Sequence, residues 1–185
     1  MPESYLHRYA KIVLASWFRK KIRIGEGYKG LTGIDLNIDW NHCKTAAPKG
    51  LYGVFLEYPV CMDINTKETI GLTLESWNEW LKKHDIQISS KTNIPSLFEL
   101  KELSKKTKTN TQKLKILHVF DLVIIDKDGL KYTFEVCHKH PCDDAKIEWL
   151  KQNNVCGYEF DAEWIMNLVQ APFTLNIKRT LHKRA

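Results

Sequence analysis

The 185-residue sequence lacks the signatures of several large protein classes. No apolar run approaches the roughly 20 residues that a membrane-spanning helix needs, so we expect no membrane partner. The first residues lack the basic start and apolar stretch of a secretory signal peptide, which favours an intracellular protein of the cytoplasm or nucleoid, or of the host-cell interior if it is viral. Neither a Gly-x-Gly-x-x-Gly nor a Walker pattern occurs, so the common glycine-rich phosphate loops are not expected. Repeats are also absent, and the length suits one domain with its own core.

Paired cysteines are lacking as well. The chain has five cysteines, an odd number, and no Cys-x-x-Cys pair, which argues against a disulfide framework. The segment from Cys137 to Cys142 reads Cys-His-Lys-His-Pro-Cys and contains residue types that can bind zinc. Because its spacing fits none of the common structural zinc patterns, we expect ordinary free thiols. A zinc or small-molecule enzyme built on this Cys/His cluster is kept as an alternative.

Acidic residues are in the minority, with 22 Asp and Glu against 28 Lys and Arg and a net charge of +6. A positive surface attracts phosphates and speeds encounter with nucleic acid. Basic residues concentrate in 101–115 and 178–184, and the stretch 105–113 has no apolar residue, which predicts an exposed flexible loop. The predicted nucleic-acid contacts are Lys105, Lys106, Lys108, Lys113, Lys115 and Lys139. A loop that is merely solvated would have the same composition.

The apolar pattern predicts helices and strands in alternation. Expected helices cover residues 4–18, 74–83, about 93–103, 144–152 and a last segment capped by Asp161. Thr73 is the expected N-cap of the second of these helices, and Pro141 and Asp143 are expected to open the fourth. Expected strands cover 53–59, which ends at Pro59, 118–125, 132–138 and 155–160. In the first helix, the stripe of Leu6, Tyr9, Val13 and Trp17 predicts the buried side. This order predicts a mixed α/β (α+β) domain with a central sheet.

Two predicted strands each contain one acid within an apolar run, Asp121 in the first and Glu135 in the second. Acids in such runs are unfavourable without a partner. A three-residue hairpin loop at 127–129, with Gly129 in the left-handed position, would centre the pairing on residue 128. Asp121 then lies opposite Glu135 on the same face. Two facing carboxylates repel, and a shared proton or a divalent metal ion relieves the repulsion.

Other polar residues could join this pair. Glu3, His7 and Lys11 recur every four residues in the first helix. They form either a solvated Glu-to-Lys ladder or a row that faces an active site, and periodicity alone favours the ladder. Glu57 is a third acid at the end of an apolar strand, where a residue that faces water is an equally good interpretation.

Glu57, Asp121 and Glu135, with a helix ahead of them, resemble the PD-(D/E)XK nuclease superfamily. More narrowly, the chain is similar to the nuclease domain of the competence protein CoiA-like family. The matching stretches are residues 3–11, 54–57, 118–121, 134–137, 146–150 and 158–165. The resemblance implies a restriction-endonuclease-like fold with a central mixed sheet flanked by helices. It also implies a single domain over 1–185, with residues 62–115 as a helical and basic-loop insertion.

The resemblance further implies a metal-dependent nuclease that acts on DNA, with RNA as an alternative substrate. Asp121 and Glu135 would ligate Mg²⁺ or Mn²⁺ together with the carbonyl of Val136. Glu3 or Glu57 would complete or orient the site. The metal would polarise the phosphate and lower the pKa of a bound water that attacks in line. The sequence does not specify the oligomeric state, and a homodimer is compatible with it.

Cys137 stands where the superfamily signature has lysine, although the narrower family often has glutamine there. Lys139, Lys146 and Lys11 are candidates to replace that lysine, and Lys11 is preferred because it shares a helix face with Glu3 and His7. Either His7 or His138 could act as acid or base. The substitution keeps a second hypothesis open, in which a degenerate nuclease fold binds nucleic acid or a partner without cutting.

Overall fold

The structure, a computed structural model, describes residues 4–24, 31–32, 53–88, 94–106, 114–126, 129–167 and 175–183. The chain is a mixed α/β protein. Its helices are α1 (Tyr5–Ile24), α2 (Leu74–Lys83), α3 (Leu97–Lys106), α4 (Asp144–Gln152) and α5 (Ala162–Asn167). Its strands are β1 (Leu31–Thr32), β2 (Gly53–Asp63), β3 (Thr69–Ile70), β4 (Leu114–Asp126), β5 (Gly129–Cys137), β6 (Cys156–Asp161), β7 (Leu175–Asn176) and β8 (Arg179–His182). No helix within the described ranges is both long and apolar enough to cross a bilayer.

A six-stranded open sheet with the order β3-β2-β4-β5-β6-β8 forms the centre of the fold. Its strands pair antiparallel except β5 and β6, which run parallel and are joined through α4. A separate two-stranded parallel pair joins β1 to β7. The predicted mixed α/β class with a central sheet is therefore confirmed.

The β4–β5 hairpin has the predicted register from Leu122 to Ile124. Leu122 pairs with Phe134, and Ile124 pairs with Tyr132, so this part is centred on residue 128, but the ladder ends before Asp121 and Glu135. Nearer the turn the register shifts by one residue and Asp126 pairs with Gly129, so the predicted three-residue loop is wrong. Gly129 has φ +108, and a Cβ there would lie 2.6 Å from the carbonyl oxygen of Leu72. Glycine is therefore required at this position both for its backbone conformation and for the close approach of residue 72.

The core lies on both faces of the sheet. One cluster joins α1 and α5 to residues such as Leu122 and Phe134, and a second joins α2 and α4 to residues such as Val123 and Ile125. Burial on both faces explains why these strands are almost continuously apolar. Phe120 belongs to the same cluster as Val123, although strict alternation would place residues three apart on opposite faces. The regular alternation of β4 is therefore broken around Asp121.

The predicted buried side of α1 is confirmed in part. Leu6, Val13 and Trp17 are partly buried against the core, whereas Tyr9 is 42% exposed. The fully buried line of the helix is Ala10, Leu14 and Phe18, which lies beside the predicted stripe. The small side chain of Ala10 at the helix contact allows a close approach to the sheet.

The first residues of the stretch expected to be a basic loop are helical. Lys105 and Lys106 belong to the last turn of α3, so their assignment to a loop is wrong. The helix starts at a capping box, in which Ser96 and Glu99 bond each other's backbone N–H groups. Lysine is a good helix former, so the helix can continue through these two positions. Lys108 and Lys113 lie outside the described residues.

Candidate functional site

The two predicted acids meet where β4 and β5 separate. Beyond the pair Leu122–Phe134, the carboxylate of Asp121 accepts a hydrogen bond from the backbone N–H of Val136 at 2.9 Å. The backbone N–H of Asp121 donates to Glu135 Oε1 at 3.3 Å. Each carboxylate thus takes the place of a backbone carbonyl in the ladder. These two hydrogen bonds connect β4 to β5 where the backbone ladder has ended, and they hold both acids close together.

Helix α1 supplies a cation and an imidazole to this point. The Nζ of Lys11 lies 2.7 Å from Glu57 Oε1 and 3.5 Å from Asp121 Oδ1, and Lys11 is only 5% exposed. The Nε2 of His7 lies 3.1 Å from Asp121 Oδ2. The solvated ladder favoured by periodicity is therefore wrong for His7 and Lys11, which face the acids. Glu3 lies outside the described residues.

Helix α4 supplies a second cation. The Nζ of Lys146 donates to Glu135 Oε2 at 2.6 Å and lies 5.5 Å from the centre of the Phe120 ring. The predicted N-cap Asp143 accepts a hydrogen bond from the backbone N–H of Lys146 at 2.7 Å. This cap fixes the first turn of α4, so Lys146 projects towards Glu135. Two of the three candidate lysines, Lys11 and Lys146, thus contact the acids.

Glu57 lies in β2 beside Asp121, because its neighbours Leu56 and Tyr58 pair with Leu122 and Phe120. Its φ is +49, a left-handed conformation that costs a non-glycine residue about 1–2 kcal/mol. Its side chain is 45% exposed and connects through Lys11 to Asp121. Strained backbone that survives in a fold is concentrated at functional sites. Glu57 is therefore both strained and connected to the buried acids.

The two acids differ in their affinity for protons. Burial opposes ionisation of Asp121, but hydrogen bonds from His7 and Val136 and the charge of Lys11 hold its pKa below the usual range. Burial, followed by repulsion from Asp121, raises the pKa of Glu135 to about 7, although Lys146 acts in the opposite direction. Near neutral pH the pair therefore keeps a repulsion that the two lysines do not fully compensate.

Glu159 and Arg179 extend the site and were missed in the sequence. Glu159 pairs in register with Glu135 and is 1% exposed. Its carboxylate accepts hydrogen bonds from the backbone N–H of Cys142 and, at 3.3 Å, from Arg179. An acid inside an apolar strand was the signal that could have identified Glu159. Four adjacent strands, β2, β4, β5 and β6, thus each carry one of the acids Glu57, Asp121, Glu135 and Glu159.

Cys137 contacts a lysine from elsewhere in the chain. The Nζ of Lys178 lies 3.1 Å from Cys137 Sγ and 3.3 Å from Asp161 Oδ2. The Sγ of Cys137 also lies 3.3 Å from the carbonyl oxygen of His140. The nearby Lys139 is exposed and has φ +72. The ammonium group of Lys178, from the segment before β8, therefore lies beside Cys137.

The remaining predicted residues are more dispersed. His138 Nδ1 lies 2.7 Å from Ser4 Oγ, which ties the start of α1 to the end of β5. Lys115 is exposed near the start of β4. The described cysteines are free thiols at Cys61, Cys137, Cys142 and Cys156. Among the described residues, no three His, Cys, Asp or Glu side chains converge in a group that could hold a metal ion.

Asp121 and Glu135 nevertheless have donor chemistry that suits Mg²⁺ or Mn²⁺. Mg²⁺ is commonly held by one or two carboxylates, with water and substrate phosphates completing its shell. The structural observation that fits a bound cation is the meeting of two largely buried carboxylates, Asp121 and Glu135, at one point of the hairpin. The backbone of Val136 is at the site through its hydrogen bond to Asp121. These residues therefore fit the metal that the resemblance implies.

A cleft of about 690 Å³ is lined by Glu57, whereas Asp121 and Glu135 are not among its lining residues. Its walls come from α1, from β2 and from the segment that leads into α3, and three of its lining residues are cations. These are Arg8, Lys11 and Arg19. Lys11 and Glu57 line the cleft and also connect to Asp121. Its volume lies within the usual range for ligand sites, and its positive wall suits an anion.

Comparison with models of protein families, with curated proteins and with solved structures finds no match to this chain.

Proposed function

We propose that this protein is a metal-dependent nuclease of the PD-(D/E)XK type that hydrolyses phosphodiester bonds in DNA. The observation that carries the proposal is the meeting of Asp121 and Glu135 at the point where β4 and β5 separate. A mixed sheet flanked by helices, with a hairpin followed by α4 and a strand parallel to β5, supports the restriction-endonuclease-like fold that the resemblance implies.

A purely structural role for the acids is the simplest alternative. Buried ion pairs contribute little net stability, and apolar residues often replace them without loss. Here burial and the neighbouring Asp121 raise the pKa of Glu135, and Asp121 is connected through Lys11 to the strained Glu57, which lines the positive cleft. Perturbed ionisation and strain in a cleft are together typical of catalytic sites. This combination favours a reaction over a structural role.

The bound metal would supply Lewis acidity for the phosphate and a more acidic water. Asp121 and Glu135 would hold it, and the N–H of Val136 keeps Asp121 in place. Lys11 is the best replacement for the superfamily lysine, because its ammonium both contacts Asp121 and lines the cleft. There it would neutralise charge on the phosphate. His7 orients the Asp121 carboxylate, and Lys146 orients that of Glu135.

Cleavage assays test the proposal. Plasmid and linear DNA are incubated with the wild type in Mg²⁺, Mn²⁺ or EDTA, beside Asp121→Asn and Glu135→Gln. Glu148→Gln is the matched control, because Glu148 is an exposed acid on α4 that pairs with Lys151. We expect metal-dependent cutting by the wild type and the control only. Cutting that persists in Asp121→Asn would reject the proposed site.

The second candidate is a nucleic-acid or partner-binding module that does not cut. The observation that favours it is the direct pairing of Lys11 and Lys146 with Asp121 and Glu135, which offsets part of their charge without a metal. Tight binding of DNA without cleavage in any metal would select this candidate.

A further inference from the structure

The exposed side of α1 carries aromatic residues where a helix surface normally carries charged ones. Tyr5 is 82% exposed, Tyr9 is 42% exposed and Ile12 is 45% exposed. With Arg8, these residues have the spacing i, i+3, i+4 and i+7, so they form one continuous stripe along the helix. We call this stripe of Tyr5, Arg8, Tyr9 and Ile12 the aromatic stripe. None of these side chains belongs to the buried core of the fold.

The two tyrosines of the aromatic stripe present flat faces. Their rings stack with centroids 5.9 Å apart and an angle of 12° between the planes. The rings therefore share one orientation while remaining open to solvent. Exposed aromatic rings of this kind form stacking platforms for unpaired bases, since every base has a flat π face.

The charge beside the tyrosines is positive. Arg8 lies in the aromatic stripe and also lines the cleft, where Lys11 and Arg19 follow it along the same helix. Arg8 and Arg19 are exposed. Alternation of aromatic rings and cations is what a single strand of nucleic acid requires, with stacking for its bases and charge for its phosphates. A second copy of this chain would instead bring these arginines together.

The stripe leads into the proposed catalytic site. Arg8 and Ile12 line the cleft together with Lys11 and Glu57, and Lys11 contacts Asp121. His7, on the same two turns of α1 as the tyrosines, also contacts Asp121. A strand that lay on the aromatic stripe would therefore extend towards the acids along a single helix.

We propose that the aromatic stripe binds an unpaired strand of nucleic acid, so that the substrate class is single-stranded nucleic acid or a duplex with an unpaired segment. Bases stack on Tyr5 and Tyr9, and phosphates lie near Arg8 and Arg19. The bases of an intact duplex are already stacked on each other and cannot reach these rings. The delivery of the strand for cutting rests on the proposed nuclease function, whereas binding by the stripe does not.

Fluorescence anisotropy in EDTA measures this binding without cutting. The probes are oligothymidylate, an abasic strand and a duplex, each of about 20 nucleotides or base pairs, which exceeds the roughly 4–16 nucleotides of single-strand sites. We expect the wild type to bind oligothymidylate about tenfold or more tightly than the abasic strand and the duplex. A parallel measurement with oligouridylate compares RNA with DNA. Tight binding of oligothymidylate or of oligouridylate supports the proposal.

Matched variants separate stacking from charge. The variant Tyr5→Ala with Tyr9→Ala is expected to bind oligothymidylate and the abasic strand equally, whereas Tyr5→Phe with Tyr9→Phe keeps the preference because it keeps the rings. Both pairs should melt like the wild type, since the two side chains are exposed. Arg8→Gln should weaken all probes and flatten the salt dependence.

Three results would overturn the proposal: no preference of the wild type for the strand with bases, a preference that survives in the double alanine variant, or wild-type dimers in sedimentation that this variant abolishes. The last result would assign the stripe to a second copy of the chain. Cutting without a single-strand preference would reject the stripe and leave the nuclease standing. Tyrosine-dependent binding without cutting would support the aromatic stripe and reject the nuclease.

Discussion

Lys146 donates a hydrogen bond to Glu135 at 2.6 Å, yet the pKa of Glu135 stays raised to about 7. Burial and the neighbouring Asp121 outweigh the favourable charge of the lysine. The lysine therefore does not fully stabilise the ionised form of Glu135, as an ion pair that served only the fold would be expected to do. It is a suitable starting state for a site that exchanges a proton for a metal ion, because deprotonation of Glu135 would accompany metal binding.

The raised pKa of Glu135 predicts a pH-dependent stability. The group ionises at about 4.5 when unperturbed and at about 7 in the folded chain. Between these values the folded state holds a proton that the unfolded state has lost, so the contribution of Glu135 to stability falls as the pH rises. Glu135→Gln lacks this titration. In metal-free buffer the free energy of unfolding of Glu135→Gln, minus that of the wild type, should therefore rise as the pH increases from 4.5 to 7. The rise is at most about 1.4 kcal/mol per pH unit.

Urea unfolding of both proteins at pH 5, 6, 7 and 8 measures that difference. Glu148→Gln should follow the wild type at every pH, because Glu148 is exposed. A constant difference between Glu135→Gln and the wild type would show that Glu135 is already ionised at pH 5.

The backbone of Glu57 predicts an unusual response to glycine. Glu57→Ala and Glu57→Gly both remove the contact with Lys11. Only glycine relieves the left-handed φ of +49. The glycine variant should therefore be more stable than the alanine variant by about 1 kcal/mol, after allowance for the greater freedom of unfolded glycine. Denaturant midpoints measure this order, and an alanine variant of equal or greater stability would show that residue 57 is unstrained.

Lys11 should affect cutting more than metal binding. Lys11→Met removes the ammonium that lies between Asp121 and the cleft. Loss of one preorganised charge at a transition state typically lowers kcat by about 10²–10³. We expect that loss for Lys11→Met in Mg²⁺, with the metal-induced rise in Tm preserved because both acids remain. Loss of the Tm shift together with the activity would assign Lys11 to the folding of the site instead.

Local patterns predicted much of the fold. Thr73 and Asp143 cap α2 and α4 as expected, because capping depends on residues a few positions apart. The hairpin register was predicted correctly beyond Ile124, although a register shift between Ile124 and Ile125, and not a three-residue loop, produces it. Pro59, by contrast, was expected to end its strand and lies inside β2. Proline is tolerated there because β3 pairs only with Cys61 and Met62, which leaves β2 with one neighbour at Pro59.

The partners of the acids could be predicted only in part. Periodicity favoured the exposure of Lys11, which packs against strands more than forty residues away in sequence. The pairs Glu135–Lys146, Glu159–Arg179 and Cys137–Lys178 likewise join separate elements. Such contacts depend on how helices and strands are arranged in space. A pattern within one element carries little information about that arrangement.

The most direct test of the central claim is a calorimetric titration with Mn²⁺ at pH 7, of the wild type, Asp121→Asn, Glu135→Gln and Glu148→Gln. If Asp121 and Glu135 hold the metal, the wild type and Glu148→Gln bind Mn²⁺ at a single site and release protons, while the other two variants show no binding. Mn²⁺ binding that is equal in the wild type and Asp121→Asn, or absent from the wild type, would contradict the account.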